Sequence, residues 1–254
     1  MTSTDPDDPS VVLVTGGTGG LGSAICEAFA GTGASVAVGY RSSEARARQL
    51  VASLPGSGHG GVRVDVTDRT SLDAAARTLK DHFGGCDVLV NCAGTTRFVP
   101  HDDLQSLDDE LADEILRTNV RGAFAAVRAM RALLDRSRRP GGGVVVSISS
   151  IAAVTAMGSN VMYCASKAAL DNMTKSLARA LAPSIRVVSV SPGLVDTEFV
   201  AGLDPTWRAE QEARTPLGRL ATAAEIAAAV LAVADRLVFT TGSVIAVDGG
   251  RALT

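Results

Sequence analysis

In the stretch "NVMYCASKAAL", Tyr163 and Lys167 are four residues apart in an Ala-rich segment of helical character, so they project from one face. A phenol titrates near pH ~10 and keeps its proton at neutrality, while an ammonium group alongside favours the phenolate. Such a pair suits giving a proton to a carbonyl oxygen, or taking one from an alcohol. Ser150 closes "VVVSISS", a predicted strand, and its hydroxyl could bond and orient the same oxygen. Asn119, in "LRTNVRGAF", is a polar residue in an apolar helical stretch, available to hold a water or a backbone carbonyl near Lys167. Taken alone, a Tyr-x-x-x-Lys spacing is more often an ordinary surface pair. It becomes chemistry only beside a source of hydride.

That source is indicated by "TGGTGGLG" at 15–22, five glycines in eight residues directly behind "VVLV". Two registers fit: Gly17-x-Gly19-x-x-Gly22, or Thr15-Gly16-x-x-x-Gly20-x-Gly22. In either, missing Cβ atoms let a pyrophosphate lie against backbone amides at the positive end of a helix. The plain alternative is a glycine-rich turn with no ligand. A Walker loop is excluded, because no Gly-Lys-Ser/Thr follows. A nicotinamide supplies hydride but no proton, which is what a nearby tyrosine would provide. The second strand ends in "VAVGYRSSE", with Tyr40 where an NAD site carries an acid, followed by Arg41, Ser42 and Ser43. A guanidinium and hydroxyls suit a phosphate, so NADP(H) is favoured over NAD(H). Glu44 nearby opposes this, and Arg41 as a solvated turn residue is the alternative.

The elements that must position these groups follow a simple rhythm. Apolar β-branched runs at 11–16, 35–40, 61–66, 87–94, 144–150, 185–193 and 243–249 alternate with Ala-rich helical stretches. Leu21, Ala24, Ile25, Ala28 and Phe29 form one helical stripe, closed by Gly31 and Gly33. Alternation of this kind means right-handed crossovers and a parallel sheet in one α/β domain. The chain has 254 residues, 46% of them hydrophobic, enough for one large core. Its net charge of −3 gives no general attraction to nucleic acid or to an anionic membrane. Neither an apolar run of spanning length nor a signal region is present, so a cytoplasmic protein is expected. Cys26, Cys86, Cys92 and Cys164 have no metal-ligand spacing and read as buried reduced thiols; no metal is expected. His59, His82 and His101 read as surface residues, and no Gly-x-Ser-x-Gly elbow supports a serine hydrolase. Residues 1–9 read as a disordered tail, 10–254 as the domain, and 196–215, which breaks the rhythm and holds Trp207, as a lid. Trp207 is either a pocket wall or the lid's anchor.

With these motifs in order, together with "NCAG" (91–94), "SPGLVDT" (191–197) and "VDGG" (247–250), the chain resembles the classical short-chain dehydrogenases/reductases over residues 10–251. The resemblance implies a doubly wound Rossmann domain with a seven-stranded parallel sheet in the order 3-2-1-4-5-6-7, helices on both faces, usually in a homotetramer. It implies Tyr163 as general acid, Lys167 as its modulator and a ribose ligand, Ser150 as the orienting hydroxyl and Asn119 as a relay. Counting back from Tyr163 favours Ser150 over Ser149. For the cofactor it implies Gly16, Thr18, Gly19, Gly20, Leu21 and Gly22 at the phosphates, and Tyr40, Arg41 and Ser42 at the ribose. Asp65 and Val66 go to the adenine, Asn91, Ala93 and Gly94 along the cofactor, and Pro192, Gly193, Val195 and Thr197 to the carboxamide side. Gly19 stands where many NADP-dependent relatives carry a basic residue, leaving Arg41 as the main 2′-phosphate ligand. Within the family the chain is most similar to 3-oxoacyl-[acyl-carrier-protein] reductases. Arg136, Arg138 and Arg139 could then meet an acidic acyl carrier protein, or be no more than a solvated helix end. On the family's pattern, Ile151, Ala152, Ala153, Met157 and Leu194 line a pocket without a charged anchor. The expected reaction is NADPH-dependent reduction of a ketone, such as a 3-oxoacyl thioester, to a secondary alcohol. The alternatives are an NAD-dependent dehydrogenase of a sugar, polyol, steroid or small alcohol, and a non-catalytic nucleotide sensor, which would be expected to lack Tyr163 or Lys167.

Overall fold

The computed structural model describes residues 9–137, 139–197 and 204–253. Residues 1–8 of the predicted tail, Arg138 of the basic cluster and residues 198–203 of the predicted lid lie outside it.

Strand β1 (Val11–Thr15) shows why the apolar runs are continuous. Val12 and Val14 enter the core on one face of the sheet, Val11 and Leu13 the core on the other, and both faces are covered. On the first face, α1 (Gly20–Ala30) buries Ile25 and Phe29 of its stripe, with Cys26 beside them, against α9 (Ala223–Asp235) and the sheet. On the second, α3 (Arg69–His82), α5 (Ala123–Leu134) and α7 (Val161–Leu181) contribute Leu72, Leu79, Met130, Leu134 and Leu181.

With β2 (Ser35–Tyr40), β3 (Gly60–Arg63), β4 (Val88–Asn91), β5 (Gly143–Ile148), β6 (Ile185–Pro192) and β9 (Val244–Val247), the sheet has seven parallel strands in the order β3-β2-β1-β4-β5-β6-β9. This is the expected topology. The seventh strand is numbered β9 because β7 (Val195–Asp196) and β8 (Ala221–Thr222) form a separate short pair. The direction of winding reverses between β1 and β4, which opens a crevice beyond the carboxyl ends of the strands.

Several local readings change: the strand expected at 87–94 ends at Asn91, and Cys92 just beyond it is half-buried rather than buried. The strand expected at 61–66 ends at Arg63. Val64 N–H still reaches the Tyr40 carbonyl at 2.7 Å, but the Asp65 carboxylate then takes the Thr67 amide and hydroxyl at 2.9 and 2.7 Å and turns the chain. Asn119 lies not in a regular helix but in a π-helical turn, Arg117–Gly122, between α4 (Asp109–Leu116) and α5. His59 is half-buried rather than a surface residue: its Nδ1 accepts from Val36 N–H at 3.2 Å while Nε2 lies 2.9 Å from the Pro55 carbonyl.

Candidate active site

The glycines of the first turn sort by what a side chain would meet. At Gly22 a Cβ would sit 2.2 Å from the Gly16 carbonyl oxygen, and at Gly17 it would sit 3.1 Å from the Val14 oxygen. Gly16 has φ +67°, and its Cβ would fall 3.0 Å from Ala93 Cα. The chain's own packing therefore demands these three. Gly19 and Gly20 are exposed, and a Cβ there would meet only the Gly16 oxygen at 3.4 Å or the Thr197 side chain at 3.7 Å. No packing explains them. Gly19 caps α1 without a side-chain bond, and the first turn holds no acid, so the positive helix end is bare. This open face, with Thr18 and Leu21 half-buried beside it, fits the pyrophosphate of a dinucleotide. Both registers read from the sequence thus contain packing glycines and open ones.

Thr15 fixes this turn to the neighbouring strand end. Its hydroxyl donates to the Val90 carbonyl at 3.2 Å and accepts from the Cys92 and Ala93 amides at 3.1 and 3.2 Å. Asn91 is buried beside it with its Oδ1 unpartnered, and a Cβ at Gly94 would lie 3.4 Å from Asn119 Oδ1. At the end of β2, Arg41 and Ser42 are exposed, while the Glu44 carboxylate faces Arg48 at 3.3 Å, along α2 (Glu44–Ser53). The Tyr40 ring lies over Gly61. Burial pushes the Asp65 carboxyl up, but the two Thr67 bonds, with Arg41 and Arg63 nearby, bring it below its ordinary range. Val66 is buried against Gly122, where a Cβ would fall 2.7 Å from Val66 Cγ2.

Lys167 is 7% exposed, with Nζ 5.6 Å from the centroid of the Tyr163 ring and 2.7 Å from the Ile148 carbonyl it donates to. The ammonium is thus pinned between the end of β5 and the phenol. Ser150, two residues past that carbonyl, is half-exposed and accepts from the Ala152 amide at 3.2 Å. Ser149 is buried and faces Asp171, whose carboxyl burial pushes up against the opposing influence of Ser149, Lys167 and Lys175. Of the two serines, only Ser150 is partly exposed. Gly158 brings the segments together: a Cβ there would meet Ala152 at 3.0 Å and Tyr163 Cδ1 at 3.0 Å.

Both polar atoms of the Asn119 side chain are engaged. Its Oδ1 accepts from Thr95 N–H at 2.8 Å, and its Nδ2 donates to the Thr95 carbonyl at 3.0 Å and to Ser166 Oγ at 3.1 Å. Its side-chain bonds hold the 95 loop and α7, and none goes to Lys167. Ser166 and Thr15 are structural members of the site that the sequence reading gave no task. A buried hydroxyl inside a four-spaced pair, one residue before its lysine, leaves no signal in spacing alone.

Beyond β6, Gly193 N–H donates to the Val247 carbonyl at 3.2 Å, and Ile151 N–H donates to the Pro192 carbonyl at 2.9 Å, joining the Ser150 strand end to the Pro192–Gly193 turn. Val195 and Thr197 are half-buried, with Thr197 opposite Gly20. The predicted lid contains α8 (Pro205–Ala213), capped by Asp204. Arg208 on this helix grips Asp196 with two bonds of 2.7 and 2.6 Å. Trp207 is half-buried. The basic cluster behaves differently: Arg139 is engaged by Ser10 and Asp235 at the amino end of the sheet, opposite the edge that carries Ser150.

No helix among the described residues is long and apolar enough to cross a membrane. The family described as Enoyl-(Acyl carrier protein) reductase matches residues 16–252. The 3-oxoacyl-[acyl-carrier-protein] reductase of Escherichia coli is 36% identical over 243 residues, covering 94% of this chain and 96% of its own. The cis-4-hydroxycyclohexanecarboxylate dehydrogenase of Sinomonas cyclohexanicum is 36% identical over 245 residues, covering 94% of this chain and 95% of its own. A solved short-chain dehydrogenase/reductase of Serratia marcescens, carrying two substitutions, matches with a TM-score of 0.86 at 31% identity, covering 98% of this chain and 100% of that one.

Proposed function

The chain belongs to the short-chain dehydrogenase/reductase family, oxidoreductases that act between CH–OH and carbonyl groups, and from that premise we propose that it reduces a ketone, in particular a 3-oxoacyl thioester, with NADPH. The observation that carries this reading is the meeting of Tyr163 and Lys167, beside the end of β5, with a glycine turn whose open face no packing accounts for.

The bound nicotinamide supplies hydride. Tyr163 gives its proton to the carbonyl oxygen, the Ser150 hydroxyl donates a hydrogen bond to that oxygen, and the Lys167 ammonium favours the charge left on the phenol. Asn119 orients α7 through Ser166. Gly16, Thr18, Gly19, Gly20, Leu21 and Gly22 hold the phosphates; Tyr40, Arg41 and Ser42 hold the ribose and its 2′-phosphate. Asp65 and Val66 flank the adenine, and Asn91, Ala93, Gly94, Pro192, Gly193, Val195 and Thr197 line the path to the nicotinamide. The preference for NADPH is supported by Arg41, exposed beside a Glu44 whose charge is matched by Arg48. A neutral acyl group goes with the pocket that the family's pattern assigns to Ile151, Ala152, Ala153, Met157 and Leu194, of which Ile151 and Ala152 are buried and Met157 is exposed. A homotetramer in the cytoplasm goes with this reading, as does an acyl carrier protein as the thioester's bearer, docked without Arg139. The second reading, an NAD-dependent alcohol dehydrogenase, is favoured by Gly19, which leaves Arg41 without a second basic residue in the phosphate turn.

Initial rates with an acetoacetyl thioester, NADPH beside NADH, test this for the wild type and for Arg41→Ala. The expected result is turnover that prefers NADPH. Arg41→Ala then raises the KM for NADPH by at least about tenfold, the worth of one charge-assisted bond, with little change for NADH. An equal effect on both cofactors removes Arg41 from the phosphate. Turnover of simple or cyclic alcohols with NAD+ and none of the thioester selects the second reading.

A further inference from the structure

Tyr163 lies in the first turn of α7, where helix amides have no partners within the helix. Its N–H is taken by Asn160 Oδ1 at 2.7 Å, and its carbonyl accepts from the Ser166 hydroxyl at 2.7 Å. Asn160 is fully buried, at 0% exposure. Its amide nitrogen points away from the helix and donates to Thr96 Oγ1 at 3.2 Å and to the Arg97 carbonyl at 2.8 Å. A helix cap needs only an acceptor, which Ser, Thr or Asp would supply equally well. The two donated bonds require an amide.

They reach the loop that Asn119 holds at Thr95. The same loop is bound to the residues before α7 twice more: Val99 N–H donates to the Ser159 carbonyl at 2.8 Å, and the Thr96 and Ser159 hydroxyls meet at 2.5 Å. Asn160 grips the amide side of Tyr163, and Asn119, through Ser166, grips its carbonyl side. Both fasten to residues 95–97.

We infer that Asn160 is a positioning residue for Tyr163, tying the first turn of α7 to the 95–97 loop so that Tyr163 and Asn119 share one rigid frame. The inference rests on Tyr163 being the proton donor. A donor must come within about 2.6–3.2 Å of the oxygen it serves, and a misplacement of about 1 Å costs on the order of a hundredfold in rate. The long phenol ring magnifies any tilt of its first turn.

Asn160→Ser keeps a good cap and removes the tie to the loop. Thr96→Val, at an exposed position, removes one of Asn160's two bonds to the loop together with the Ser159 hydroxyl contact, with little risk to folding. With NADPH and an acetoacetyl thioester, Asn160→Ser is expected to lower kcat by about tenfold or more while the dissociation constant for NADPH, read by fluorescence, stays within about twofold. Thr96→Val is expected to lower kcat by about threefold. Amide exchange of segments 95–101 and 160–163 should quicken together in both variants. A kcat within about twofold of wild type in Asn160→Ser overturns the inference. So does a loss of rate, cofactor affinity and melting temperature in step, which a purely structural role would give. If Asn160→Ser does not fold, an unchanged kcat and unchanged exchange in Thr96→Val overturn it. Tyr163→Phe, measured in parallel, separates the two readings: if it stays active the proton-donor role falls, and if it is dead while Asn160→Ser is normal only the tie falls.

Discussion

Substituting Gly19 and Gly22 separately by alanine should divide the glycine turn into a part the ligand needs and a part the fold needs. Gly19 has φ −82° and ψ 163°, a conformation open to alanine, and a new methyl there would have only the Gly16 oxygen at 3.4 Å for a neighbour. Alanine caps a helix less well than glycine by roughly 0.5–1 kcal/mol, and the stiffer unfolded chain returns about 0.4–1 kcal/mol. Stability should therefore hold to within about 0.5 kcal/mol, a shift of no more than about 2 °C for a domain of this size. Gly22 differs. A methyl there would sit 2.2 Å from the Gly16 carbonyl oxygen and 2.9 Å from Gly17 Cα, both backbone atoms that cannot swing aside. Overpacking of this kind lies at the upper end of about 1–3 kcal/mol, and the helix preference of alanine over glycine returns about 0.8–1 kcal/mol. A net loss of about 2 kcal/mol lowers the melting temperature by about 4–8 °C. For the cofactor the order reverses in kind: the Gly19 methyl occupies the open face, and losing one charge-assisted amide–phosphate bond costs about 1.5–3 kcal/mol, at least about tenfold in affinity. Thermal scans without cofactor and fluorescence titration with NADPH measure both quantities. Unchanged NADPH affinity in Gly19→Ala, or a fall in melting temperature equal to that of Gly22→Ala, would refute the assignment of the open face to the phosphates.

Tyr163→Phe should bind NADPH almost normally while losing about 10²–10⁴-fold in kcat, because only the proton donor is removed; retained turnover in steady-state assays sinks the mechanism. The hydrogen bonds and charge of Arg208 hold the Asp196 carboxyl below its ordinary pKa of 3.8, so this carboxylate stabilises the fold above that value and the contribution fades as pH falls through the lowered one. Asp196→Asn should therefore melt below the wild type at neutral pH, with the gap closing on acidification; a gap independent of pH in thermal scans counts against a stabilising Arg208–Asp196 pair.

The features legible in the sequence are those with a period or a demand on the backbone. The strand runs were readable because both faces of β1 and its neighbours are covered, which removes polar positions and leaves unbroken Val and Leu. The Tyr163–Lys167 pair was readable because helix geometry converts a spacing of four into a shared face. Glycine content announced the turn, but could not say which glycines are packed and which are open, since Gly19 and Gly22 differ only in what lies opposite them in space. Likewise, nothing in "SISS" tells Ser149 from Ser150. The distinction comes only from the fold, which buries Ser149 just past the end of β5 and leaves Ser150 half-exposed.

The polar frame around Tyr163 was hidden for a different reason. Asn160 does carry a local signal, a cap residue three positions ahead of the tyrosine. That signal accounts for one of its three bonds. The other two reach residues more than sixty positions earlier in the chain, the Ser159 contacts span sixty or more, and Asn119 reaches Ser166 across forty-seven positions. Such bonds exist only once the sheet has brought the ends of β4 and β5 side by side. Placing a reactive group on a helix face is a local matter that periodicity records. Fixing its place in space falls to contacts that only the closed fold creates, which is why the Tyr163–Lys167 pair was legible in the sequence and the bonds of Asn160 and Asn119 around it were not.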